Sequence, residues 1–467
     1  MNIDKLKKYI ESEWNSSIIP ILKKYIKIPN KSPAFDPLWE ENGYIEEALN
    51  LTLNWIEKNN NGEFYFEVKR IKGRTPLIFI EYKGQKKENI LMYGHLDKQP
   101  EMTGWEKSLG PWKPVIKNEK LYGRGGADDG YAIFASICAI NALIEQNIPL
   151  PSITIIIEFS EESGSPDLPI HLDKLNTLAS PDLVICLDSG AGNYEQFWMT
   201  TSLRGMVGAT LRVNVLTEGI HSGGASGIVP SSFRIIREIL NRVEDPKTGN
   251  ILINDFHTEI PQFQLENIKT FVKTLKGDLF RSYPWYGNTE PSTLDEIEAV
   301  KRRTWKPTLS IVGIDGVPDI KDAGNVLRPN TDLKLSFRIP PLVNSKKAQI
   351  KLNKILTENP PYNSNIEIEF DEPADGWSAP KLSENLNKVI NQSSYEFYKK
   401  PAISMGEGGT IPFMAMLGEK YPEAQFIITG VLGPNSNAHG PNEFLHIPYV
   451  KKLNCCISYI LAHYSKD

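Results

Sequence analysis

Several apolar runs in this chain end in residue types that bind metals or move protons. ILMYGHLD closes on His95 and Asp97, ITIIIEFSEESGS runs into Glu161 and Glu162, and LVICLDSG carries Asp188. QFIITGV leads into PNSNAHGPNE, with His439, and GRGGADDG places Asp128 just before an apolar stretch. Imidazole and carboxylate together suit zinc, with manganese or cobalt as alternatives. Two divalent ions roughly 3.5–4 Å apart repel each other and need a shared ligand. A carboxylate can bridge with its two oxygens, and Asp128 is the candidate. Each ion then takes one His and one carboxylate, with a bridging water completing both shells. Adjacent side chains point apart, so Glu161 and Glu162 divide naturally into one ligand and one general base. Asp97 lies two residues from His95, on the same face of an extended strand. There it could accept the second ring N–H of a ligand His or fix the base.

These residues meet only if the runs that carry them lie side by side and point the same way. Apolar runs at Pro76–Tyr82, Asn89–Tyr93, Ser152–Phe159, Leu183–Leu187 and Ala424–Val431 read as strands. Gly130–Gln146 reads as an apolar helix crossing over a parallel sheet. Further helices are expected over 2–27, over 43–59 and from about Pro448. In an open α/β sheet, ligands bind beyond the carboxyl ends of the strands. His95, Glu161, Glu162, Asp188 and His439 would therefore converge on one edge, with Asp128 at the start of the crossover helix.

The region 205–374 reads differently. A strand at Gly208–Leu216, a helix at Ser231–Val243, a strand at Lys334–Arg338, a helix at Ser345–Asn359 and a strand at Asn365–Asp371 suggest a β-α-β-β-α-β, ferredoxin-like order. Residues 244–306, rich in Pro, Trp and charge, read as an insertion between its halves. The expected architecture is an α/β domain with a mixed sheet, residues 1–204 and 375–467, interrupted by a smaller α+β domain, residues 205–374.

The composition bounds the partners. With 467 residues, 40% hydrophobic and 23% charged, the chain is an ordinary globular protein. A formal charge of −5 argues against nucleic-acid binding, which calls for a basic excess or stripe. No apolar run reaches the roughly 18 residues of a membrane span, and MNIDKLKKYIESEW lacks the apolar stretch of a signal peptide. Cys138 and Cys186 lie in apolar runs, Cys455 and Cys456 are neighbours on an expected helix, and none has CxxC spacing. The expected setting is reduced and cytoplasmic. GRGG and GEGG match neither GxGxxG nor a P-loop, which disfavours a nucleotide-binding enzyme. His171, His257, His446 and His463 read as structural or surface residues.

In order and spacing, GHLD, GRGGADD, SEESGS, LDSG, EGIHSG and NAHGPNE resemble the dinuclear zinc metallopeptidases of the aminoacylase, carboxypeptidase and carnosinase superfamily. The double Asp, EESGS and EGGTIP bring the chain nearest to the carnosinase-like cytosolic dipeptidases. The resemblance implies a zinc-peptidase catalytic domain with an inserted ferredoxin-like lid and dimerisation domain. It implies that His95 and Asp188 bind one zinc and Glu162 and His439 the other, with Asp128 bridging. Glu161 would be the general base and acid, and Asp97 would support the site beside His95. His221, from the inserted domain of a homodimer partner, would stabilise the oxyanion. Arg338 would hold the substrate carboxylate, Glu407 would contact the substrate, and Gly408 and Gly409 would offer backbone groups. The implied reaction is hydrolysis of a small peptide, first of all a dipeptide, by a hydroxide held between two metal ions.

An N-acyl amino acid deacylase is the alternative, since it shares the metal site. A non-catalytic dimeric interaction protein is the remote reading, and the intact ligand set argues against it. The chain departs from the family's pattern at three places. Tyr131 follows DDG where the family has Lys and then Gly, Gly406 replaces an Arg before EGG, and no His stands near Asp375 and Gly376. These departures bear on substrate preference and leave the metal ligands intact.

Overall fold

The strands that carry the candidate residues are buried on both faces. In the computed structural model, which describes residues 1–175 and 179–466, the first part of the chain supplies β1 (Phe64–Lys69), β2 (Leu77–Tyr82), β3 (Asn89–His95), β4 (Ser152–Glu158), β5 (Leu183–Cys186) and β6 (Trp198–Leu203). Next come β7 (Gly205–Asn214), β8 (Thr308–Asp315), β9 (Asn330–Ile339) and β10 (Asn365–Phe370), then β11 (Trp377–Ser378), β12 (Ile403–Glu407) and β13 (Gln425–Ile428). The large sheet runs β1-β2-β4-β3-β5-β13-β6-β11, with β12 also pairing β6. Strand β3 lies parallel to both β4 and β5, and β5 is parallel to β13. Their carboxyl ends therefore share one edge.

Consecutive residues of these strands enter opposite cores, as the two-residue period requires. Ile90 and Met92 join a core that includes Phe134, Ile140, Leu453 and Ile457, whereas Leu91 and Tyr93 face a second core with Leu172, Phe413 and Phe426. The first core is covered by α4 (Ala132–Ile144), which packs on the C-terminal helix Ile447–His463. Helix α4 lies so close to β3 that a Cβ added at Gly94 would stand 2.7 Å from the Ala132 Cβ and 2.7 Å from Asp129 Oδ2.

At the N-terminus, the expected helix over 2–27 is α1 (Ile3–Glu13) and α2 (Ile19–Ile26), joined by a π-helical stretch at Trp14–Ile18. The helix over 43–59 is α3 (Tyr44–Asn59).

The smaller sheet is antiparallel and runs β8-β9-β7-β10. Helices α5 (Ser232–Leu240) and α8 (Ser345–Thr357) cover one face and bury Ile235, Ile239 and Leu352 against Leu211, Leu335 and Phe337. In chain order its elements are strand, helix, two strands, helix and strand. Within the stretch 244–306 lie α6 (Gln262–Leu275) and α7 (Glu296–Thr304). Ile268, Phe271, Val300 and Trp305 of this stretch belong to the core of the large sheet, and α6 and α7 both contact β12. A helical pair that lies between elements of the smaller sheet in sequence thus packs on the larger one. Among the described residues, no helix is long and apolar enough to cross a membrane.

Candidate metal centre

At the shared edge, His95 ends β3 and is fully buried. Its Nδ1 lies 3.3 Å from Asp97 Oδ1. Its Nε2 lies 3.5 Å from Asp128 Oδ1, 3.7 Å from Asp188 Oδ2 and 3.9 Å from Glu161 Oε2. The other oxygen of Asp128 is 3.1 Å from Nε2 of His439, which is also 3.3 Å from Glu162 Oε2. Two groups result, His95–Asp128–Asp188 and Asp128–Glu162–His439, each with its ligand atoms within 4.8 Å of one another. Asp128 belongs to both and faces each His with a different oxygen.

The supporting contacts are local and specific. Asp97 accepts the backbone N–H of Glu161 at 3.1 Å and that of Glu162 at 2.9 Å, one on each oxygen. It therefore fixes the turn Glu161–Ser163 in which the neighbouring glutamates diverge. Gln99 donates to Glu162 Oε2 at 2.6 Å. Asp129, joined to Asp128 by a cis peptide bond, accepts the His95 N–H at 3.3 Å. In the loop that carries His439, Asn435, Asn437, His439 and Asn442 have positive φ. Asn tolerates that conformation better than most residues, which suits the Asn-rich NSNAHGPNE.

The electrostatics are those of crowded anions. Burial, with Asp128 adding to it, raises Asp188 to about 7. Burial and the Asp188 charge push Glu161 well above the usual carboxylate range. Burial would raise Asp128 too, but His439 and His95 outweigh it and hold its carboxyl well below the ordinary value. Burial opposes a charge on His439, yet Asp128 and Glu162 push it up to about 11. Both ring nitrogens of His95 are buried without a hydrogen-bond partner, although carboxylates surround them. This donor set fits divalent cations, which supply positive charge to the carboxylates and take neutral imidazoles as ligands.

The remaining candidates belong to neither metal group. Glu407 ends β12, and a Cβ added at Gly190, just past Asp188, would come within 2.6 Å of its Oε1. Arg338, on β9, donates to Thr410 Oγ1 at 2.9 Å, and Thr410 in turn donates to the Arg204 carbonyl at 2.5 Å. The Gly408 carbonyl accepts from Arg204 Nε at 3.3 Å, and Gly409 is open to its surroundings. His221 belongs to neither metal group. It is exposed on a short ribbon in which Ile220–His221 pairs with Val326–Leu327, and its Nδ1 accepts the Gly223 N–H at 3.1 Å.

Sequence reasoning passed over the residues that brace the loops. Arg124 and Glu443 form a buried ion pair at 2.5 Å. Arg124 also donates to the Gly440 carbonyl at 2.8 Å, and Glu443 accepts the Gly125 N–H at 2.9 Å. Both charges sit inside quoted motifs, GRGGADD and NAHGPNE, and a charge in each of two facing glycine-rich loops was the available signal. Glu158, paired with His95 in the β3–β4 register, is buried and accepts from Tyr93, Ser165 and Ser160.

Over residues 91–463 the chain matches the profile of Peptidase family M20/M25/M40. It is 23% identical over 385 residues to the cysteinylglycine-S-conjugate dipeptidase of Corynebacterium striatum, a match covering 81% of each chain. It is 28% identical over 289 residues to the Beta-Ala-His dipeptidase of Homo sapiens, covering 61% of this chain and 56% of that protein. The solved structure of the dipeptidase Dug1p from Saccharomyces cerevisiae superposes with a TM-score of 0.77 at 20% identity, covering 99% of this chain and 98% of that one. Likeness at that identity bears on the fold alone.

Proposed function

The chain belongs to peptidase family M20/M25/M40, and from that premise we propose that it is a metal-dependent hydrolase that cleaves the amide bond of dipeptides. The reading rests on one observation: two His-carboxylate groups that share Asp128 at the carboxyl edge of the sheet. His95, Asp128 and Asp188 would hold one ion and Asp128, Glu162 and His439 the other, zinc in our reading. Bound there, the ions would supply Lewis acidity toward the scissile carbonyl and toward water near neutral pH.

Glu161 takes the proton of the attacking water and passes it to the leaving amine. Its burial and raised pKa suit a base that must also act as an acid. Asp97 positions it through the backbone amides of the turn. His221 donates to the oxyanion. With Nδ1 accepting from Gly223, Nε2 is the ring nitrogen left to donate. Its exposure supports a role across a homodimer, with the ring entering the partner's site. Arg338 takes the substrate carboxylate and Glu407 the substrate amine, with Gly408 and Gly409 offering backbone groups beside it.

We divide the chain at 1–204 with 375–467, and 205–374, the second unit being the lid and dimerisation domain. Its own core supports the division, while α6 and α7 stay with the catalytic sheet. Four unpaired, buried cysteines among the described residues favour a cytoplasmic setting.

The test is amine release from a panel of dipeptides and N-acyl amino acids, with zinc or manganese and then with chelator. Metal-dependent cleavage of dipeptides is expected, and Glu161→Gln should retain metal and fold while losing turnover. Cleavage of acylated amino acids alone would replace the dipeptidase reading, and full turnover by Glu161→Gln would remove Glu161 as the base.

A further inference from the structure

A cavity of about 640 Å³ is large enough for an amino-acid residue. Its wall includes Asn193, on the segment that follows Asp188, and Asn437, two residues before His439, so it is built in part from segments that carry a ligand of each metal group. Its wall also carries Met405, Glu407, Phe271 and Arg303.

Arg303 comes from the last turn of α7, and it differs from its neighbour. Arg302 is engaged by Glu298 at 3.1 Å. Arg303 makes no ion pair among the described residues, and its buried Nε has no hydrogen-bond partner. The Phe271 ring, 5.5 Å from the guanidinium, supports it from one side. Glu407 feels the charge, since Arg303 pulls its carboxyl down against the larger effect of burial. No ion pair closes between them. The other charged pair on the wall, Asp278 and Arg281, is closed at 3.3 Å, whereas Glu407 and Arg303 offer a carboxylate and a guanidinium that do not neutralise each other by contact.

An amino-terminal residue with only an ammonium group would satisfy Glu407 and leave Arg303 unmatched. A residue with an ammonium and a free carboxylate would satisfy both, and guanidinium N–H groups match carboxylates in a planar fork. We infer that this cavity selects dipeptides whose amino-terminal residue is acidic, with Glu407 taking the ammonium and Arg303 the free carboxylate. The chemistry is shared by an ordinary α-linked Asp or Glu and by its isomer linked through the side-chain carboxyl, where the α-carboxylate is the free acid. This rests on the dipeptidase reading and adds the substrate class.

The experiment compares kcat/KM for Glu-Ala, its γ-linked isomer, Gln-Ala and N-acetylalanine, in the wild type and in Arg303→Gln and Arg303→Lys, each with its metal content measured. The wild type should prefer one acidic substrate over neutral Gln-Ala by at least about tenfold, the scale of one charge-assisted hydrogen bond. The preferred isomer identifies the linkage. Arg303→Gln should bring the ratio to about one, and Arg303→Lys, which keeps the charge without the fork, should leave an intermediate ratio. A wild-type ratio near one overturns the inference, as does a ratio that survives Arg303→Gln in metal-loaded protein. If Arg303→Gln fails to fold, a full ratio in Arg303→Lys overturns the guanidinium contact. Cleavage of N-acetylalanine with no dipeptide turned over would instead remove the dipeptidase reading itself.

Discussion

Replacing Arg124 by Met should destabilise the protein and loosen one metal group more than the other. Arg124 is 1% exposed and Glu443 is fully buried, so the variant leaves a carboxylate without a counter-charge inside the protein. Removing one partner of a buried ion pair costs about 3–5 kcal/mol, most of it from the uncompensated charge. The Gly440 and Pro100 carbonyls lose their donor as well. The double variant Arg124→Met/Glu443→Leu removes both charges, so it should recover much of the loss. Recovery should be incomplete, because the Gly125 N–H and the Gly440 carbonyl still lack partners at about 1–3 kcal/mol each.

The effect on metal follows from position. Gly440 adjoins His439, and Gly125 lies on the segment that leads to Asp128. The pair therefore clamps two ligands of the Asp128–Glu162–His439 group, and affinity there should fall about 10–100-fold, the range for lost outer contacts of ligands. The assays are thermal unfolding in chelator and equilibrium dialysis with zinc. A single variant that melts with the wild type and binds two ions as tightly would refute the reasoning. So would a double variant no more stable than the single one.

Other outcomes follow from the same contacts. Burial, reinforced by the Asp97 charge, raises Glu158 to about 7, above its ordinary 4.5. The folded state therefore holds this proton more tightly than the unfolded chain does, and its contribution to stability is lost as pH rises from about 4.5 through 7. In chelator, Glu158→Gln should gain on the wild type across that window and level off above it; a difference in melting temperature that stays constant from pH 5 to pH 8 would contradict this. Asp97→Asn keeps one acceptor for the turn amides but loses the charge beside His95, so zinc affinity should fall about 10–100-fold. Zinc titration of catalytic activity measures it, and an unchanged titration would remove Asp97 from the support of the site.

The strands that present ligands could be read from the sequence because they are fully buried. A parallel strand covered on both faces is a nearly unbroken apolar run, and β3, β4, β5 and β13 all have that form. The elements that escaped are marginal for the opposite reason. Strand β8 is an exposed edge strand, and β12 (ISMGE) is short and contains a glycine. Helix α7 (EIEAVKRRT) buries only Val300 and Thr304, so it shows charge and no apolar stripe. The π-helical stretch at Trp14–Ile18 sits in a segment whose helical pattern is continuous, and nothing in its composition marks the change.

The same distinction governs the site. Ligands at strand ends can be located because the carboxyl edge of a parallel sheet collects them. Bracing residues depend on long-range neighbours, as with Arg124 and Glu443, which are 319 residues apart. The three departures from the family's pattern become intelligible only in space. Tyr131 is buried and donates to the Leu187 carbonyl at 2.5 Å, so it braces the segment that carries Asp188. Asp375 accepts the Ser345 N–H at 2.6 Å and is occupied at the start of α8. At Gly406, an added Cβ would stand 2.6 Å from Ser202 Oγ and 2.9 Å from the Thr304 Cβ, so a side chain there would have to displace Ser202 or Thr304. The residue that crowds Gly406 is Thr304 of α7, and its neighbour on that helix is Arg303. The helix that crowds Gly406 also carries an arginine to the wall of the cavity that Glu407 lines. Arg303 reaches that cavity because α7 packs on the large sheet, a placement that no local sequence pattern marks.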